Sequence, residues 1–108
     1  MKNENYYKLI ERDNTNPENH ERRALFTIFS ENKELYAKID NLYDFEEHWI
    51  KTDCFEKVDF SSGNRKMVEL AFNLYNNYDC STPLEIFSLL DNDNYELAMK
   101  AVNIRFNK

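Results

Sequence analysis

Two histidines, two cysteines and a crowd of carboxylates are the groups through which this 108-residue chain could do chemistry. Histidine supplies general bases and metal ligands near neutral pH. His20 stands among Glu18, Glu21 and Arg22 on an expected helix surface, where it reads as a solvated side chain. His48 follows Glu46 and Glu47 and precedes Trp49, which makes it the better functional candidate. Cys54 or Cys80 could meet His48 in space as a nucleophile and its base, the chemistry of a small thiol- or histidine-dependent hydrolase. Against that stands the ordinary role of a cysteine as a small, buried apolar residue.

The remaining catalytic constellations fail on spacing or composition. A zinc centre needs three or four convergent ligands, and His48, Cys54 and Cys80 lack the short paired spacings of zinc modules. Glu18-Asn19-His20-Glu21 has no second histidine to complete a metalloprotease motif. A single glycine cannot build a phosphate-cradling loop. The carboxylates between 44 and 59 would suit glycoside chemistry only in a cleft, which a packed helical domain of this size has little room for. The expectation is therefore a non-enzymatic protein with no cofactor and no metal.

Charge points to binding instead. The net charge is −6 and the isoelectric point near 4.9, which disfavours direct nucleic-acid binding and anionic membranes alike. Residues 40 to 60 hold seven acids against Lys51 and Lys57, net −5, interleaved with aromatic rings. An acidic surface steers a basic partner, and exposed rings anchor it. The expected partner-binding set is Asp44, Phe45, Glu46, Glu47, Trp49, Asp53, Phe55, Glu56 and Asp59.

The elements that must position these groups are mainly helical. Aromatic content of 15% and hydrophobic content of 42% are enough for a core, and one Gly with two Pro are too few for a hairpin-built protein. Short periodicity marks a helix over 3–13, and Asn16-Pro17 as cap and first-turn proline predict another over about 17–30. Leu35, Ile39 and Leu42 predict a second helix packed on it. From Asp44 to Ser62 neither period holds, so an irregular segment with a helical turn or short strands is expected, of the kind on which function often sits. Ser61-Ser62-Gly63 opens the strongest helix, with Met67, Leu70, Ala71, Leu74 and Tyr75 on one face, expected to be central and most buried. Thr82, Pro83 and Glu85 predict a capping box and a short, well-buried helix. Asp93 with Glu96 gives a second capping-box spacing before the last helix. Asn73 is expected to cap or bridge to the irregular segment, and Arg105 to pair with an acid of the 40 to 60 stretch. The fold class is mainly α: one compact domain, residues 1–108, of five or six helices with one irregular acidic segment. Cys54 and Cys80 are expected as reduced thiols. Met1 to Leu9 is polar, and no apolar run approaches the ~20 residues a spanning helix needs, so a soluble cytoplasmic protein is expected.

Several stretches also look familiar together. Tyr43-Asp44-Phe45, Ile50-Lys51, Ser61 with Ser62, Leu70-Ala71-Phe72-Asn73-Leu74-Tyr75-Asn76, Pro83-Leu84-Glu85-Ile86-Phe87, and Ala101 with Ile104-Arg105-Phe106 resemble an uncharacterised family of small proteins. Its members come from low-GC Gram-positive bacteria and their mobile elements. The resemblance covers roughly the C-terminal two thirds. It implies a shared fold and a cellular setting, and it supplies no activity and no catalytic residues. In that setting the expected function is binding to a basic protein partner such as a nucleic-acid-binding nuclease, its concrete form being a phage or mobile-element anti-defence inhibitor of the anti-CRISPR type. The alternatives are an immunity protein against a toxin nuclease and the small hydrolase above.

Overall fold

Polar side chains at the starts of the helices set most boundaries. The computed structural model describes residues 3–108, and among them lie four long helices, four short ones and one hairpin. Helix α1 (Glu4–Asp13) opens on Asn3, whose side chain accepts from the Tyr6 N–H, and closes on Asn14 at φ 56°. Helix α2 (His20–Glu31) opens on Asn19, which accepts from the Arg22 N–H. It starts three residues later than Asn16-Pro17 predicts. The Asn16 side chain accepts from the Glu18 N–H and its carbonyl from the Asn19 N–H, so Asn16 and Pro17 build a turn that delivers the chain to the true cap.

The helix expected over Leu35, Ile39 and Leu42 is two, α3 (Lys33–Ala37) and α4 (Ile39–Leu42). Lys38 separates them at φ −107°, with its N–H donating back to the Leu35 carbonyl, a tighter closure that ends one turn before the next begins. Strand β1 (Tyr43–Asp44) pairs antiparallel with β2 (Trp49–Ile50), Tyr43 opposite Ile50 and Asp44 opposite Trp49. The irregular segment is thus a hairpin followed by the single turn α5 (Cys54–Lys57).

Helix α6 (Ser62–Asn76) is capped by Ser61 and ends on Asn77 at φ 64°, and Leu70, Ala71 and Leu74 are buried as their spacing predicts. Its one glycine lies at a close approach: a Cβ on Gly63 would sit 3.1 Å from the Leu89 carbonyl oxygen, tight enough that the Leu89 backbone would have to give by a few tenths of an ångström. Helix α7 (Pro83–Ser88) carries the predicted capping box between Thr82 and Glu85. It is not well buried, because a helix of under two turns presents few residues inward. Ile86 alone reaches the core, while Leu84 is 79% exposed. Helix α8 (Asn92–Arg105) is capped by Asp91, two residues before the Asp93 that the capping-box spacing suggests, because the Asp91 side chain accepts from the Asn94 N–H.

The hub is α2, in place of α6. All seven residues from Ala24 to Ser30 are buried, and α2 packs against α1, α3, α6 and α8. A helix enclosed on all sides must satisfy its polar side chains internally. Thr27 does so by donating to the Arg23 carbonyl, and Ser30 by donating to the Thr27 carbonyl and accepting from the Asn3 amide. Phe29 meets Phe72 of α6 edge to face, with ring centroids 6.1 Å apart. The radius of gyration, 12.6 Å, is close to the ~13 Å of a compact domain of this length. No helix of the described residues is long and apolar enough to cross a membrane.

Candidate functional site

The hairpin that carries His48 and Trp49 is held by a buried carboxylate. Asp13, at the end of α1, has its side chain fully buried and bonds through both oxygens. Oδ1 accepts from the Tyr43 hydroxyl at 2.8 Å and pairs with His48 Nδ1 at 2.7 Å. Oδ2 accepts from the Thr15 hydroxyl and from Arg22 Nη1 at 3.2 Å. Burial alone would raise the Asp13 pKa. The hydrogen bonds from Thr15, His48 and Tyr43, with the charge of Arg22, outweigh it and hold the carboxyl below its ordinary value. The same burial, with the neighbouring carboxylate, pushes the Tyr43 phenol far up, so it stays a donor.

Since an ionised carboxylate only accepts, His48 Nδ1 carries the proton of that bond. The backbone is pinned as well: the His48 carbonyl accepts from Tyr75 Oη at 3.2 Å and Arg22 Nη2 at 3.4 Å, with His48 at φ 57° in the left-handed region. A carboxylate orienting an imidazole is part of the machinery of acid–base catalysis. The rest of that machinery is placed elsewhere. Cys54 is buried in the core, where desolvation, first, and Asp53 push its thiol up to about 12. Cys80 is half-buried on the loop before α7, and its thiol is likewise raised by burial. The described clefts of about 310–600 Å³ are lined by residues other than His48.

The sequence-predicted binding residues divide into an exposed set and an inward set. Glu46, Glu47, Asp53, Glu56 and Asp59 are exposed, and Asp44 is half-buried at the start of the hairpin turn. The Asp44 carboxylate accepts from the Glu47 and Glu46 N–H groups, which lowers its pKa and fixes the turn. Lys57 pairs with Asp53 at 2.8 Å, while Lys51 donates to the Asp40 carbonyl. Trp49 is 52% exposed and stands edge-on to Tyr75. Phe45 and Phe55 turn inward. Phe45 stacks on Phe26 beneath the Arg12 guanidinium, 3.9 Å away, and Phe55 packs on Phe72 and Tyr78 beneath Arg65.

Other polar clusters are structural. Ser81 donates from both its N–H and its hydroxyl to Glu69, and Lys66 bridges the two, tying the loop before α7 to α6. Opposing burial, these bonds lower the Glu69 pKa, so Ser81 and Lys66 face a carboxylate. A cleft of about 600 Å³ opens where α3, α6 and α8 begin. Its amides close on one another: Asn32 donates to Asn64 and Asn94, and Asn64 donates to Glu34. Asn73 holds the turn after α6 by donating to the Tyr78 carbonyl. Arg105 pairs with Glu21 and donates to the Leu74 carbonyl, so its acid lies outside the 40 to 60 stretch. Among the described residues no group of three or more His, Cys, Asp or Glu side chains is arranged to hold a metal.

Sequence inspection singled out His48 and Trp49 and missed Asp13, Arg22, Tyr43 and Tyr75 as their supports. No short spacing joins these residues, so no local signal could have found them. No curated protein and no solved structure matches the chain significantly. A family model does, over residues 1–108, and the chain belongs to that family, described as a family of unknown function (DUF6075).

Proposed function

We propose that the protein is a non-enzymatic binder whose acidic hairpin region docks on a basic surface of another protein. The observation that carries this is Trp49, half-exposed on a hairpin clamped by the buried Asp13 network and flanked by carboxylates. A rigid support keeps an anchor ring preorganised, so little entropy is lost on binding. Glu46, Glu47, Glu56 and Asp59 have no cation within ion-pair distance among the described residues, which leaves their charge available for a partner. Exposed carboxylates beside an anchor ring offer a basic groove the charge that phosphates offer it, and so the concrete form is an inhibitor of a nucleic-acid-binding nuclease, as an anti-defence protein of the anti-CRISPR type would be.

Affinity capture from the host followed by binding kinetics tests it. With the captured partner, Glu46→Lys, Glu47→Lys and Glu56→Lys together should slow association and flatten its salt dependence. Trp49→Ala should speed dissociation and weaken affinity by about 2 kcal/mol or more, with the melting temperature little changed. Unchanged kinetics at low salt for the triple variant would sink the proposal.

A further inference from the structure

Arg23 is an arginine without an acid. Arg12, Arg22, Arg65 and Arg105 each reach a carboxylate, on Asp40, Asp13, Glu69 and Glu21 in turn. Arg23 reaches none among the described residues, although the chain holds 20 acids against 14 bases. Its guanidinium is held at long range by neutral groups. Nε donates to the Tyr6 hydroxyl at 3.4 Å and Nη1 to His20 Nδ1 at 3.5 Å, with the imidazole accepting because a guanidinium only donates. Nη2 has no partner among the described residues. A half-buried cation left in this state in so acidic a chain is open to an anion from outside.

Arg23 lines two adjoining clefts, of about 340 and 480 Å³, which also share Tyr6 and Tyr7. The first is formed by α1, residues 15–17 and the first turn of α2. Its apolar lining is the Tyr6 and Tyr7 rings, set edge to face at 5.4 Å, with Ile10 and Pro17. Such a lining takes a flat ring. Its open polar groups are donors. Asn16 Oδ1 is occupied by the Glu18 N–H, which leaves the Nδ2 hydrogens of Asn16 free among the described residues, and the Thr15 hydroxyl is given to Asp13. No carboxylate lines this cleft. Glu11 and Glu18 adjoin lining residues in the chain, but both are exposed and outside the lining. Asp13, behind Thr15, is occupied by Tyr43, His48, Thr15 and Arg22. In the second cleft the one carboxylate, Glu31, is paired with Lys100.

We propose that the cleft between α1 and the start of α2 binds a small aromatic carboxylate. The ring lies against Tyr6, Tyr7, Ile10 and Pro17, and the carboxylate takes donors from Arg23 Nη2 and the Asn16 amide, which line the same cleft. An anion without a ring gains only an exposed ion pair, and a ring without the anion leaves the guanidinium unmatched, so both halves are needed. The site shares no residue with the acidic hairpin and does not rest on its docking role.

Naphthoate is the probe, with naphthamide as the neutral control and acetate as the anion without a ring. Titrated into the full chain near neutral pH and followed by NMR, naphthoate should bind with a Kd of about 1 mM or tighter, at least about fivefold more tightly than either control. The shifts should centre on Tyr6, Tyr7, Ile10 and Asn16. Arg23→Gln should weaken binding about tenfold, with the melting temperature little changed because only long hydrogen bonds are lost. Asn16→Asp is the second variant. It keeps the oxygen that accepts from the Glu18 N–H, so the turn holds, but replaces the donor with a charged acceptor, and should also weaken binding about tenfold. Naphthamide or acetate binding as tightly as naphthoate overturns the proposal. So do wild-type affinity in both variants, shifts centred outside this cleft, or no saturation by about 10 mM naphthoate.

Discussion

Asp13 joins the end of α1 to α2 through Arg22, to β1 through Tyr43 and to the hairpin turn through His48, so one carboxylate sets the position of three segments. Asp13→Asn leaves the geometry nearly intact but removes the charge that Arg22 faces, and should cost about 3 kcal/mol, read as a lower urea midpoint. The pH dependence follows from the direction of the shift. With the folded pKa below the ordinary 3.8, the unfolded chain takes up the proton first as pH falls. The stabilisation is complete above that ordinary value and is lost as pH drops through the lower folded one. Melting temperatures followed below about pH 5 should fall more steeply for wild type than for Asp13→Asn, which has no carboxyl to protonate there. At this scale His48 was legible in the sequence through its acidic and aromatic neighbours. Its partner was not, because it lies 35 residues away and the pairing exists only once α1 and the hairpin pack.

Among the elements, the two asparagines before α2 separate local preference from the outcome. Asn16 followed by proline has the form of a helix start, yet Asn19 is the residue whose side chain accepts from the α2 backbone. Asn19→Ala should cost about 1 kcal/mol, while Asn16→Ala, in an exposed turn, should stay within about 0.5 kcal/mol, both measured by thermal melts. The reverse order would restore the earlier start. The capping box of Thr82 and Glu85 was readable because both partners lie within four residues. The split between α3 and α4 at Lys38 was not, since Leu35, Ile39 and Leu42 keep helical spacing across it. Apolar periodicity reports which residues turn inward and is blind to one turn of tighter winding.

Across the whole molecule, burial is concentrated on α2, which four other helices enclose. Leu25→Ala should therefore cost about 2–5 kcal/mol in chemical denaturation, because the fully packed surroundings cannot collapse into the space left. Leu84→Ala should change stability by no more than about 0.5 kcal/mol despite the same chemistry, since that side chain is already in solvent. Comparable losses at the two positions would place α7 in the core, where its apolar sequence had suggested it belonged.

The sequence by itself determined the helical class, the strongest helix over 62–76, the irregular acidic stretch and the net charge, because each rests on composition or on neighbours a few residues apart. Tertiary structure alone decided which helix became the hub, which of the acidic stretch's rings faced solvent, and which carboxylate took the histidine. Trp49, Phe45 and Phe55 are alike in composition and context, and only the placement of Phe26, Phe72 and Tyr78 draws the two phenylalanines inward and leaves the tryptophan out. Those contacts form between segments distant in the chain, so their energies depend on packing that local sequence does not encode.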